Sequence, residues 1–152
     1  MKEFVTIKEN SSAQITEKKS KFIANLFYVE SIKEAEEIIE KTKKKYFDAK
    51  HNCIAYRVIE DENIIERFSD DGEPSGTAGA PMLNILQKNN LVNVLIIVTR
   101  YFGGILLGTG GLVKAYSNSL LLALENTSKV TKCMGEELEI SLEYSEFESF
   151  KY

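Results

Sequence analysis

The sequence predicts an α+β fold, a sheet packed against helices, on three observations. Segments with apolar residues at helical spacing alternate in order with strand-like segments. The run "VLIIV", Val94–Val98, is apolar throughout and mostly β-branched, as a strand buried on both faces requires. Clusters of turn residues separate the segments, and no internal repeat is visible.

Taken in order, "FVTIKE" and "AQITEKKSKFIANLFYV" read as strands. "SIKEAEEIIEKTKKKYF" reads as a helix. Ser31 stands at its N-cap with Glu34 three residues on, a capping box, and Ile32, Ala35, Ile38, Ile39, Thr42 and Tyr46 form one face. Its lysines 41, 43, 44 and 45 fall in the last turns, where the helix dipole favours cations. "NCIAYRVI" and "IIERFS" read as paired strands joined by a turn at Glu60–Asn63. "PMLNILQKNN" is a short helix with Pro81 in its first turn and Met82, Leu83, Ile85 and Leu86 inward. After the central strand, "LVKAYSNSLLLALENT" gives a long helix, with Leu112, Val113, Tyr116, Leu120, Leu121 and Leu124 as core candidates.

Composition excludes several classes. No apolar run of the 152-residue chain is long enough to span a bilayer, and the N-terminus lacks the apolar centre of a signal peptide. A soluble cytoplasmic protein is expected. His51 is the only histidine, which rules out a histidine-rich zinc site, and the two cysteines, Cys53 and Cys133, read as reduced, packed thiols. The net charge is −4, unevenly placed: residues 136–152 hold six Glu and one Lys, while the rest carries 18 basic and 17 acidic side chains. The tail also alternates at Leu138, Ile140, Leu142 and Tyr144, then announces a helix with Ser145 and Glu148. A domain over 1–134 is expected, with a second one beginning at 135 and cut short at 152.

Two loops carry the candidate chemistry. In "RYFGGILLGTGGLVKAY", Gly103, Gly104, Gly108, Gly110 and Gly111 lie between the buried strand and a helix. Glycine permits positive φ and close approach, and free amides at a helix N-terminus attract anions. Thr109 can cap the helix or touch an anion, and Arg100 and Lys114 add positive charge. Gly103 to Gly108 has P-loop spacing, but Thr109-Gly110 stands where Lys-Ser/Thr is required, and no G-x-G-x-x-G is present; nucleotide motifs are disfavoured. In "SDDGEPSGTAGAP", Asp70, Asp71 and Glu73 can hold a divalent cation or accept hydrogen bonds from loop amides; the second reading carries more weight. Ser75, Thr77 and Gly79 open the next helix as a second set of exposed amides. A catalytic alternative joins His51 to Asp70 or Asp71 as an acid–base pair, with Ser75 or Thr77 as nucleophile.

Together "FSDDGEPSGTAGAPMLNIL" and "VTRYFGGILLGTGGLVKAYSNSL" resemble the signature of the IMPACT/YigZ family, and "KKSKFIA" and "AKHNCIAYRV" resemble its other recurring segments. The resemblance covers about residues 1–134. It implies a ribosomal-protein-like fold similar to domain IV of elongation factor G, with a ferredoxin-like second domain in bacterial members, whose opening the 135–152 tail resembles. It also implies regulation of translation, as in eukaryotic members. The expected function is therefore a non-catalytic translation-related regulator or RNA- or ribosome-binding protein. Its surface joins Ser69–Thr77, Arg100–Gly111, Lys114 and His51, and neither cofactor, DNA nor membrane partner is expected. The alternative is a small hydrolase or ligand-binding protein using the acidic loop and His51.

Overall fold

The computed structural model describes residues 3–134 and, for the backbone, 139–143. Strands β1 (Glu3–Ile7), β2 (Ser11–Glu17) and β3 (Ser20–Tyr28) precede helix α1 (Ile32–Lys45). Strands β4 (His51–Glu60) and β5 (Asn63–Ser69) form a hairpin, followed by α2 (Gly79–Lys88), β6 (Val94–Tyr101) and α3 (Gly108–Glu125). Strands β7 (Lys129–Met134) and β8 (Glu139–Glu143) close the described chain. The class is α+β.

The main sheet has the order β2-β3-β6-β4-β5, antiparallel at every step, with β6 at its centre. That position explains the apolar run in β6. Val94, Ile96 and Val98 pack under α2 and α3, while Leu95 and Ile97 pack under α1 with Ile54, Tyr56 and Val58. Helices therefore cover both faces, α1 on one and α2 with α3 on the other. A second sheet orders β1-β7-β8, with the β8 backbone paired antiparallel to β7 from Glu139 to Glu143. The helix start expected at Ser145–Glu148 lies outside the described residues.

Local chemistry explains the helix starts. Ser31 Oγ accepts the Glu34 amide of α1 at 3.0 Å. The expected return bond is shifted by one residue: the Glu34 carboxylate accepts from the Glu30 amide, 2.7 Å away, rather than from Ser31. The segment read as one long strand over 13–29 is a hairpin. Lys18 and Lys19 form its two-residue turn, with φ of 44° and 68°. Such a turn needs positive φ at both positions and favours Asn-Gly, so a Lys-Lys pair gives no sequence signal for it.

Helix α3 begins at Gly108, four residues before the expected start at Leu112. Three glycines concealed its first turn, because glycine has poor helix propensity and packing overrides it. Among the described residues no helix is long and apolar enough to cross a membrane.

Candidate functional site at the loop end of the sheet

Register brings the candidate residues together. Arg100 on β6 pairs with Phe22 of β3 on one side and His51 of β4 on the other. Beyond this row lie the Lys18–Lys19 turn, the segment after α1, the 70–78 loop, the 102–107 loop and the start of α3. Every residue singled out from the two motifs thus belongs to one end of the sheet or to the helix starts beside it.

Arg100 is not at the surface. It is 5% exposed, and its Nη1 donates to both oxygens of the Glu73 carboxylate, at 3.0 and 2.9 Å. Its Nε and Nη2 reach Ser20 Oγ at 3.4 and 3.2 Å, and Phe22 and Phe102 each lie 5.6 Å from the guanidinium carbon. Glu73 also accepts from the Tyr116 hydroxyl of α3 at 2.5 Å. The expectation that Arg100 would sit free for an anion is corrected by this pairing, which spends its donors inside the protein. A buried pair of this kind costs desolvation and repays it only through such complete bonding. It binds the two glycine-bearing loops to each other through β6 and α3.

The acidic loop is organised by its own amides. The Glu73 amide donates to the Asp70 carbonyl at 2.9 Å, closing a turn with positive φ at Asp71 and Gly72. Asp70 accepts from the amides of Gly76, Ala78 and Gly79 at 2.9, 3.1 and 2.8 Å. The second set of exposed amides expected around Thr77 and Gly79 is therefore largely occupied: Asp70 acts as a remote cap of α2. Asp71 accepts the Asn52 amide at 2.8 Å. The three carboxylates serve separate sets of partners, the hydrogen-bonding arrangement. Among the described residues no group of three or more His, Cys, Asp and Glu is placed to hold a metal.

The catalytic alternative finds a different arrangement as well. His51 Nδ1 lies 2.8 Å from the Asp71 carbonyl, which only accepts, so Nδ1 carries a proton; Nε2 lies 3.6 Å from the Glu73 carboxylate. His51 thus meets neither the Asp70 nor the Asp71 carboxylate. Thr77 donates its hydroxyl to the Pro74 carbonyl at 2.6 Å, and Ser75 is exposed on the loop.

Cys53, Tyr116 and Ser20 were not among the candidates. The Cys53 thiol donates to the Asp70 carbonyl at 3.1 Å and lies 3.4 Å from the Tyr116 hydroxyl. Burial pushes that thiol far above its ordinary range, and burial with the neighbouring Cys53 and Glu73 does the same to Tyr116. Both stay protonated at neutral pH. Helical spacing identified Tyr116 as core, but nothing in the sequence announced what its hydroxyl would touch.

The glycine loop separates into different causes. A Cβ on Gly103 would come 2.0 Å from the Lys19 carbonyl oxygen, so the β2–β3 turn demands glycine there. Gly104 and Gly108 have φ of 92° and 77°. Gly111 sits against Leu107, whereas Gly110 has nothing within 4 Å of a would-be Cβ and no positive φ. Thr109 does not cap α3: the N-cap position is Leu107, with no side-chain bond to the helix amides. Beside this helix start, a pocket of 190 Å³ is lined by Glu17, Lys18, Leu107, Gly111, Lys114 and Asn118.

Sheet, helices and loop end define an α+β domain in which two glycine-bearing loops are tied by a buried ion pair. The sequence matches the Impact N-terminal domain over residues 18–124, and the chain belongs to that family. It is 44% identical to IMPACT family member YvyE of Bacillus subtilis over 93% of this chain and 65% of the relative. It is 41% identical to IMPACT family member YigZ of Escherichia coli over 84% of this chain and 63% of the relative. A crystal structure described as that of a hypothetical protein superposes with a TM-score of 0.81 at 37% identity, over 88% of this chain and 65% of that one. The chain thus spans just under two thirds of these relatives.

Proposed function

We propose that this domain is a non-catalytic, translation-related regulator that contacts RNA or the ribosome through the loop end of its sheet. The observation that carries the reading is the composition of that end. Lys18, Lys19, Lys21, Lys45, Lys50 and Lys114 are exposed there, interleaved with exposed Phe47, Phe102, Ile105 and Leu106. Of the acids at this end, Asp70, Asp71 and Glu73 are turned to internal partners, which leaves exposed Glu17 and Asp48 outnumbered by the lysines. The whole-chain charge of −4 therefore misrepresents this surface. Basic side chains interleaved with aromatic ones are the footprint of nucleic-acid contact. Membership of the IMPACT family supports the link to translation. The uncapped amides of Gly108, Thr109 and Gly110, with Lys114 beside them, suit a phosphate or carboxylate.

Ribosome co-sedimentation of the chain, with sequencing of the RNA it retains, tests this. The double variant Lys18→Asn/Lys19→Gly puts the preferred residues into a positive-φ turn while removing two charges. It should be as stable as the parent or more so, yet release ribosomal RNA at lower salt; Lys114→Ala should act in the same direction. A parent chain that retains no ribosomal or transfer RNA would end the proposal.

A further inference from the structure

We infer that the open sheet face beside α1, opposite the buried ion pair, is a seat for single-stranded RNA. The inference rests on the RNA part of the proposed function and extends that surface along an adjoining face, the two sharing Lys21 and Lys45. Helix α1 packs on β4 and β6, leaving the outer face of β2 and β3 largely uncovered. Lys21 is exposed on that face, and Ile23, Asn25 and Phe27 are half-buried. On the paired strand, Ser12, Gln14 and Thr16 are exposed opposite Asn25, Ile23 and Lys21. Between this face and α1 lies a groove of 290 Å³, lined by Asn25, Phe27, Ile38, Lys41, Thr42, Lys45 and Tyr46.

The lining chooses the occupant. Its floor supplies an amide and an aromatic ring, and its helix wall supplies two lysines one turn apart, 41 and 45. At the open end two Lys–Tyr pairs repeat: Lys45 lies 5.3 Å from the Tyr46 ring centre, and Lys21 lies 5.6 Å from that of Tyr101. Each pair offers a ring for a base next to a cation for its phosphate, the two contacts every unpaired nucleotide makes with a stacking platform. Asn25 and Gln14 can read base edges, as single-stranded recognition on a sheet face requires. Two exposed acids lie at this end, Glu17 and Asp48, and Asp48 accepts the Tyr101 hydroxyl at 2.7 Å. An acidic peptide would use the lysines but not the ring-and-amide floor, and a duplex offers no unstacked base.

Fluorescence anisotropy of the chain with labelled 12-nucleotide RNA, at about 50 mM salt, reads this directly, with an RNA duplex and a polyglutamate peptide as competitors. Single strands should bind and neither competitor should displace them. Tyr46→Leu should weaken binding about tenfold through lost stacking. Lys41→Ala/Lys45→Ala should weaken it several-fold and lower the salt slope by about 1.4, the value for two phosphates on a single strand. These residues lie at the surface or its margin, so an unchanged circular dichroism melt identifies binding losses as such. Parent-like binding by these variants, with loss in Lys18→Asn/Lys19→Gly, would overturn the groove and leave the loop-end reading standing. Displacement by polyglutamate would reassign the groove to acidic protein segments, and absence of RNA binding would overturn it outright.

Discussion

The hydroxyl of Tyr116 on α3 donates to the carboxylate of Glu73, 43 residues earlier in the acidic loop, and the same carboxylate holds Arg100. One buried anion thus joins a helix, a central strand and a loop. Its partners are specific, because a carboxylate removed from water needs donors on both oxygens.

Truncating either member of the ion pair leaves the other charge buried. Arg100→Met and Glu73→Ala are each expected to lower stability by about 3–5 kcal/mol in chemical denaturation. Tyr116→Phe removes one bond to a charged group and should cost about 1–3 kcal/mol. If Arg100→Met melts like the parent, the network does not organise the two loops.

Alkaline pH should weaken the fold through Cys53 and Tyr116. Both have folded pKa values raised by burial above those of the unfolded chain. Their contribution is complete below the unfolded values and falls as pH rises past them, because the unfolded chain then releases protons that the folded one keeps. The decline should begin near the ordinary thiol value of 9.0 in the parent. In Cys53→Ala it should begin near the ordinary tyrosine value of 10.0. Identical pH profiles of unfolding for the two proteins would contradict this.

Two glycines of the same motif should respond oppositely to alanine. Gly103→Ala drives a methyl into the Lys19 carbonyl and should destabilise by about 1–3 kcal/mol or more. Gly110→Ala meets no atom within 4 Å and removes backbone freedom from a helix, so it should stabilise by about 0.5–1 kcal/mol. Loss of ribosome retention in a stabilised Gly110→Ala would show that the bare backbone serves contact rather than folding.

The acidic tail tests the domain division. We propose that residues from 135 onward begin a separate unit, although the β8 backbone extends the small sheet. Deleting them should change the melting midpoint little, since β7 keeps its pairing with β1. A large, cooperative loss would make β8 part of the body.

Much of the fold was determined by neighbours in the chain. The Ser31 cap spans three residues, the Asp61–Glu62 turn joins adjacent strands, and the apolar run of β6 demands cover on both faces whatever supplies it. The α3 start was hidden because glycine lacks the propensity that packing overrides. The site was legible only as two motifs rich in glycine and acid. Whether Glu73 would meet a metal, a histidine or Arg100 depended on the register that sets Phe22, Arg100 and His51 in one row, and on α3 crossing above it to deliver Tyr116. Such partners lie 27 and 43 residues apart. Sequence determined which residues carried charge and which segments were buried; tertiary structure decided which charges were left for solvent, because burial compels each buried charge to find its partner within the fold.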